Sequence, residues 1–229
     1  MELIIANKLY SSWSMRPWLA MRAAGLEFTE SVIPLDLPET AARIKAVSPS
    51  GKLPALVDGD IRIWDSLAII EYLNERFPDR GIWPAAPAAR AHARSISAEM
   101  HSGFQPLRQA CPMNLGKIFA AKEFPEPVRQ DVERIEAIWR EARSKFGYET
   151  GKPFLYGEFS AADAMYAPVV TRFATYQLPV AADTRAYMDA VLSHDAFRQW
   201  YRAARNESWS LPKYEVGHSP VDGAALISD

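Results

Sequence analysis

The chain has 229 residues, 48% of them hydrophobic and 24% charged, and its 26 Lys and Arg against 28 Asp and Glu leave a formal net charge of −2. At roughly 150 residues per domain this length allows one or two domains, and a chain of this size buries about 70% of its unfolded surface without a disulfide or metal staple. The near-neutral balance gives no electrostatic footprint for nucleic acid, no apolar run reaches the ~18 residues of a membrane span, and the single cysteine, Cys111, leaves no internal disulfide.

Met1 to Ile5 opens a strand-like run with no basic stretch ahead of it, so no targeting leader is expected, and a cytoplasmic chain without membrane or nucleic-acid partners is the expectation. Leu3 to Ala6 reads as a short buried strand. A helix fits residues 14–24, with Met15, Trp18, Leu19 and Ala23 on its buried side, Pro17 in its first turn and Gly25 as terminator. Residues 28–33 read as a second strand, Pro34 and Pro38 break the chain, and 39–46 are helix-capable. Residues 54–58 and 61–64 read as a hairpin about Asp58-Gly59. Asp65 or Ser66 then caps a helix running through Arg76, with Leu67, Ile70, Leu73 and Phe77 on one stripe. Residues 1–80 thus alternate strand and helix, but no GxGxxG follows the first strand and no GxxxxGK[ST] occurs, so nucleotide-binding folds lack their markers.

Pro78, Pro84 and Pro87 break this pattern, and 81–87 read as a linker. From residue 88 strand signals nearly vanish. A helix fits 88 to about 109. After Pro127 the apolar residues Val128, Val132, Ile135, Trp139, Ala142 and Phe146 recur at steps of 4, 3, 4, 3 and 4, the helical period, with Glu136–Arg140 and Glu141–Lys145 as pairs on the wet side. Ser160 with Asp163 reads as a capping box opening another helix, and 183–192 and 195–205 fit two shorter ones. Residues 88–205 are expected to be an all-helical domain, and 206–229 an extended tail.

Chemistry can sit at three places. Ser11-Ser12-Trp13-Ser14 joins the first strand to the first helix, where a Cys-x-x-Cys would mark a redox protein; hydroxyls cannot exchange disulfides. Ser12 or Ser14 can cap that helix, while Ser11 can donate a hydrogen bond to an anion at its positive end. Next, Leu53-Pro54 follows Ser50-Gly51-Lys52 at the start of a strand, where Leu53 backbone groups can pair with an extended peptide. Finally, Asp65-Ser66 offers a carboxylate for a ligand ammonium beside helix N–H groups for a ligand carboxylate.

Together these elements resemble the glutathione transferase superfamily. Ser11-Ser-Trp-Ser-Met-Arg-Pro-Trp-Leu19, Ser48-Pro49 with Lys52-Leu53-Pro54, and Asp65-Ser-Leu-Ala-Ile-Ile-Glu-Tyr-Leu73 look most like the zeta class and its bacterial relatives, and the likeness runs on through Gln105-Pro106-Leu107 and the capping box to about residue 205. The resemblance implies a thioredoxin-like α/β domain over residues 1–80 packed on the all-α domain, in a homodimer, with glutathione as cosubstrate and no metal. It implies that Ser11 hydrogen-bonds the glutathione sulfur and that Pro54 is a cis-proline. In the same way Leu53 pairs with the cysteinyl part, Asp65 and Ser66 hold the γ-glutamyl end, and Lys52 meets the glycine carboxylate. Gln105 reaches in from the helical domain. A free thiol has a pKa near about 8.5, so a donor plus a helix N-terminus would favour its thiolate.

Two positions depart from the zeta pattern. Trp13 stands where a cysteine is usual, either lining the electrophile pocket or packing between the domains. The arginine thought to hold a substrate carboxylate falls on Thr175 by direct carry-over, with Arg172 about one turn earlier as the candidate anchor unless it faces solvent. His101 is a further candidate at the domain cleft, and Arg16 either lends charge to the thiolate or faces solvent. Cys111 reads as an inert thiol, the four histidines form no metal spacing, and Trp18, Trp64 and Trp139 read as core or interface residues. The expected function is transfer of glutathione to small hydrophobic electrophiles. The alternatives are a cis-trans isomerase of the maleylacetoacetate or maleylpyruvate type and a non-catalytic glutathione-binding protein.

Overall fold

The computed structural model describes residues 1–215 and 217–227; Val216, Ser228 and Asp229, all in the predicted tail, lie outside the described residues. Four strands, β1 (Glu2–Ile5), β2 (Thr29–Val32), β3 (Ala55–Asp58) and β4 (Ile61–Trp64), form one sheet in the order β2-β1-β3-β4. β1 pairs in parallel with β2 and antiparallel with β3, and β3 pairs antiparallel with β4. The parallel pair needs a crossover, which α1 (Ser12–Ala23) supplies. The alternation of β1 sorts its side chains. Leu3 and Ile5 join the main core, with Met15 and Leu19 of α1 and Ile69, Ile70 and Leu73 of α3 (Ser66–Arg76). Ile4 points the other way, to Ile33 and to Ile44 of α2 (Thr40–Val47). The hairpin loop is Gly59-Asp60, with Gly59 at φ +59°, a conformation that favours glycine.

α1 starts two residues earlier than the sequence suggests. Pro17 therefore lies inside it rather than in its first turn, where its missing N–H leaves one intrahelical bond unmade. Trp18 is buried, with its Nε1 donating to Glu30 at 2.6 Å, but Trp64 is 43% exposed: it ends an edge strand and faces a cleft, not the core.

The helical half comprises α4 (Pro87–Ser102), α5 (Gln105–Ala110), α6 (Glu126–Ala142), α7 (Ala161–Thr175), α8 (Ala182–Ser193) and α9 (Asp195–Arg205). The single helix expected over 88–109 is two. A Cβ on Gly103 would lie 2.7 Å from the Glu99 carbonyl oxygen, and Phe104 takes φ +59°, so the chain turns there and redirects α5. Asp131 on α6 accepts from Leu107 N at 2.9 Å, satisfying one free N–H of α5. The predicted apolar stripe of α6 is buried through Ala142. Phe146 falls in a π-helical turn, Arg143–Gly147, and packs at a tilt against the rings of His92 and Tyr156 rather than continuing the stripe. Glu141–Lys145 pairs as expected, but Arg140 pairs with Asp183 and Glu136 accepts from Ala181 N instead of joining each other.

α7 is the hub, buried along nearly its whole length and packed against α1 and α4. Its capping box is complete: Asp163 Oδ2 accepts from Ser160 N at 2.9 Å. Trp139 of α6 is 1% exposed and meets the rings of Tyr166, Phe173 and Tyr187. The tail does not run outward. The Glu207 carboxylate accepts from Lys8 N at 2.7 Å and Leu9 N at 3.2 Å, Leu211 is buried, and residues 118–120 bond to 219–221. No helix among the described residues is long and apolar enough to cross a membrane.

Candidate functional site

A cleft of about 870 Å³ lies where the ends of β1, β3 and β4 face α4, α5 and α7. The β1–α1 junction supplies Ser11, Ser12 and Trp13; the segment before β3 supplies Lys52, Leu53 and Pro54; the β4–α3 junction supplies Asp65 and Ser66. From the helical side come His101, Gln105 and Arg172. These eleven include every residue given a catalytic, cofactor or substrate role from the sequence, whereas Arg16, weighed there as a charge near the thiolate, is not part of the lining.

Ser11 itself, rather than Ser12 or Ser14, caps α1. Its Oγ accepts from Ser14 N at 3.2 Å and donates to Ser14 Oγ at 2.8 Å, which in turn accepts from Ala6 N at 3.0 Å. The two hydroxyls can reverse roles. With Ser14 donating to Ser11, the Ser11 hydrogen is released toward the cleft, at the positive end of α1. Ser12 Oγ accepts from Arg172 at 3.4 Å.

The Leu53–Pro54 peptide is cis, at the entry to β3. Asp65 caps α3 from a φ of +76°, its Oδ1 accepting from Leu67 N at 2.9 Å and Ala68 N at 3.2 Å. Its other oxygen, Oδ2, lies 3.1 Å from His101 Nε2. Ser66 Oγ is buried and has no hydrogen-bond partner within the protein. An orphaned hydroxyl at a helix start, beside an acid, fits a ligand that carries a carboxylate and an ammonium together.

The helical wall is cationic. Arg172 is 6% exposed, not solvent-facing. Its guanidinium donates to the carbonyls of Cys111 at 2.9 Å and Pro168 at 3.0 Å as well as to Ser12. Burial, and then the Arg108 charge, lower its pKa to about 10. Arg16 is also fully buried rather than wet. Its Nε donates to Met165 O at 3.2 Å, both terminal nitrogens lack partners, and burial followed by repulsion from Arg108 and Arg172 holds its pKa well below the usual range. Trp13 sits between the guanidiniums of Arg16 and Arg108, at 4.4 and 4.8 Å from its ring centre, with the His101 ring edge-on at 5.1 Å. Trp13 therefore both lines the cleft and packs at the domain junction.

Arg108, Tyr10 and Tyr214 also line the cleft, and the sequence reading missed them. Arg108 was legible in part, because it lies one turn from Gln105 on the same short helix. Tyr214 was not: it belongs to the returning tail, stacked on Tyr10 at 5.4 Å and fixed by Glu215, which accepts from Tyr10 Oη and pairs with Lys117 at 2.5 Å. Cys111 is fully buried outside the cleft lining, and burial pushes its thiol up to about 12. Among the described residues, no group of three or more His, Cys, Asp or Glu side chains is placed to hold a metal ion.

Residues 10–76 match the family described as glutathione S-transferase, N-terminal domain, and residues 118–203 the one described as glutathione S-transferase, C-terminal domain. The chain is 40% identical over 104 residues to a probable maleylacetoacetate isomerase of Caenorhabditis elegans, covering 43% of this chain and 48% of that protein. It therefore spans about half the length of the first curated relatives it matches. It is 29% identical over 221 residues to the maleylacetoacetate isomerase of Pseudomonas aeruginosa, covering 89% of this chain and 96% of that one. A solved structure of a zeta-class bacterial maleyl pyruvate isomerase superposes with a TM-score of 0.65 at 21% identity, covering 91% of this chain and 100% of that one, and so shares the fold.

Proposed function

The chain belongs to the glutathione S-transferase family, and we propose that it is a glutathione transferase that presents a glutathione thiolate to small electrophiles. The observation that carries this reading is the convergence of the Ser11 cap of α1, the Leu53–Pro54 backbone and the Asp65–Ser66 pair on one cleft. Asp65 and the orphaned Ser66 hydroxyl hold the γ-glutamyl end, Leu53 backbone groups pair with the cysteinyl part, and Lys52 meets the glycine carboxylate. Gln105 closes over the tripeptide from the rim. Ser11 then donates to the sulfur at the positive end of α1, which favours the thiolate over the thiol. The thiolate forms a carbon–sulfur bond, either displacing a leaving group or adding to a conjugated double bond whose α-carbon takes up a proton. Ser11 is the catalytic donor and not the nucleophile.

The test is titration of glutathione against the protein while following ultraviolet thiolate absorbance, with turnover of a halodinitrobenzene measured alongside. A bound thiol that titrates near its free pKa of about 8.5 rejects the mechanism. A protein that binds glutathione tightly but turns over no electrophile is instead the non-catalytic binder. In solution the protein is a homodimer, which its sedimentation mass checks.

A second reading is favoured by one observation, the buried, cleft-lining guanidinium of Arg172 beside Arg108. This cationic wall suits an electrophile that carries carboxylates, as a glutathione-dependent cis-trans isomerase needs. In that reaction the thiolate adds to the conjugated double bond, the new single bond rotates, and elimination regenerates both double bond and thiolate. The assay is conversion of maleylacetoacetate or maleylpyruvate with glutathione in catalytic amount. Arg172→Lys should lower kcat/KM about 10–100-fold, because an ammonium cannot reproduce the planar fork. Absence of conversion by the wild type ends this reading, and full activity in Arg172→Lys removes Arg172 as the anchor.

A further inference from the structure

His101 does not sit in the cleft as a free side chain. Its Nε2 lies 3.1 Å from Asp65 Oδ2, the oxygen that α3 leaves unused, since Oδ1 takes both helix N–H groups. Its Nδ1 is buried and has no partner. A neutral ring with its hydrogen on Nε2 suits both atoms, because it donates to the carboxylate and leaves a bare lone pair inside. A protonated ring would place a second N–H in a pocket without an acceptor.

The other charged groups that face the ring act in the same direction. From α1, Arg16 lies behind Trp13, whose ring meets His101 edge-on at 5.1 Å; from α5, Arg108 donates to the His101 carbonyl at 3.3 Å. Burial first, then the charges of Arg16 and Arg108, lower the His101 pKa against the opposing pull of Asp65.

We propose that His101 is the positioning residue of the ammonium subsite: as a neutral donor it holds Asp65 Oδ2 toward the cleft, and as a cation it closes that subsite to the γ-glutamyl amino group. This rests on the reading that Asp65 faces that amino group. Neutral His101 leaves the Asp65 charge intact, so the carboxylate meets both a hydrogen bond and the ligand ammonium. Protonated His101 cancels that charge and repels the ammonium directly. Burial of the ring, helped by the charges of the two arginines, keeps the subsite open at neutral pH.

The experiment measures Kd by calorimetry between about pH 8 and 5, the range over which histidine titrates. The probes are S-methylglutathione, which has no thiol to ionise, and its analogue lacking the γ-glutamyl amino group. Wild type should bind S-methylglutathione with constant affinity near neutrality and about tenfold more weakly at the acid end, while the deamino analogue shows no acid weakening. His101→Ala should weaken binding of S-methylglutathione about 3–10-fold at neutral pH, through loss of the donor to Asp65. His101→Gln, whose amide can donate but not titrate, should recover most of that loss and abolish the acid limb.

An acid limb that persists in His101→Gln overturns the proposal, as does wild-type affinity in His101→Ala. If the deamino analogue binds as tightly as S-methylglutathione at neutral pH, the placement of the ammonium at Asp65 is wrong and the proposal falls with it. If the amine matters but the limb ignores His101, only the role of His101 falls. The wild-type profile needs no variant to fold.

Discussion

Replacing Ser11 by alanine separates two jobs that one hydroxyl performs. As the N-cap of α1 it accepts from Ser14 N at 3.2 Å, and losing a cap of this kind costs about 1 kcal/mol. In a chain of this size that lowers the melting temperature by roughly 2–4 °C. As a donor at the start of α1, Ser11 would keep bound glutathione in its thiolate form, the form that attacks the electrophile. Losing one such donor lowers kcat by roughly 10–1000-fold, or about 1.4–4 kcal/mol in the barrier. Glutathione Kd should change far less, because Asp65, Ser66 and Leu53 remain. The assay is steady-state kinetics with a halodinitrobenzene beside thermal denaturation, with Ser12→Ala in parallel. A kcat unchanged in Ser11→Ala refutes the assignment. If Ser12→Ala is the variant that loses turnover, the donor is Ser12, whose oxygen already accepts from Arg172 and whose own hydrogen is therefore free to face the cleft.

Asp65→Ala should act in the opposite sense, raising glutathione Kd about tenfold or more with a smaller change in saturated kcat; wild-type affinity would displace the ammonium from this site. Cys111, fully buried and with its thiol pushed up to about 12, should resist an aromatic disulfide reagent in the native protein and react fully after denaturation, and rapid native labelling would contradict its burial. Asp163 carries a pH prediction. Burial raises its pKa from 3.8 to about 6 against hydrogen bonds from Leu155 N, Ser160 and Tyr187, so the folded state binds the proton more tightly than the unfolded one. The stability this adds is fully present below about pH 3.8 and is lost as pH rises through about 6, on the order of 3 kcal/mol in all. Urea denaturation at several pH values should show a slope in the wild type that flattens in Asp163→Asn, and equal slopes would remove Asp163 as the source.

The order of elements in this chain is written in local signals: the apolar period of α6, the capping box of α7, the Gly59 turn and the Asp65 cap each depend on a few neighbouring residues. So do the positions at the ends of β1, before β3 and between β4 and α3, because short motifs at element ends mark where backbone N–H groups stand free. What the sequence left open depends on which faces of separate elements meet. Arg16 and Arg172 each read as serving the site or facing solvent until α1 and α7 pack together and enclose both guanidiniums. Trp64 reads as core or interface by composition, and only the sheet order puts it at the end of an edge strand, half-exposed beside the cleft. Residues 88–109 carry one continuous helical pattern, and only the contact between Gly103 and the Glu99 carbonyl, with Phe104 in a left-handed turn, aims Gln105 and Arg108 at the cleft. Tyr214 lies some 200 residues along the chain from Tyr10 and reaches it because Glu207 and Glu215 bond back to residues 8–10. Burial and charge coupling are properties of contacts between distant segments, and no local window of sequence contains them.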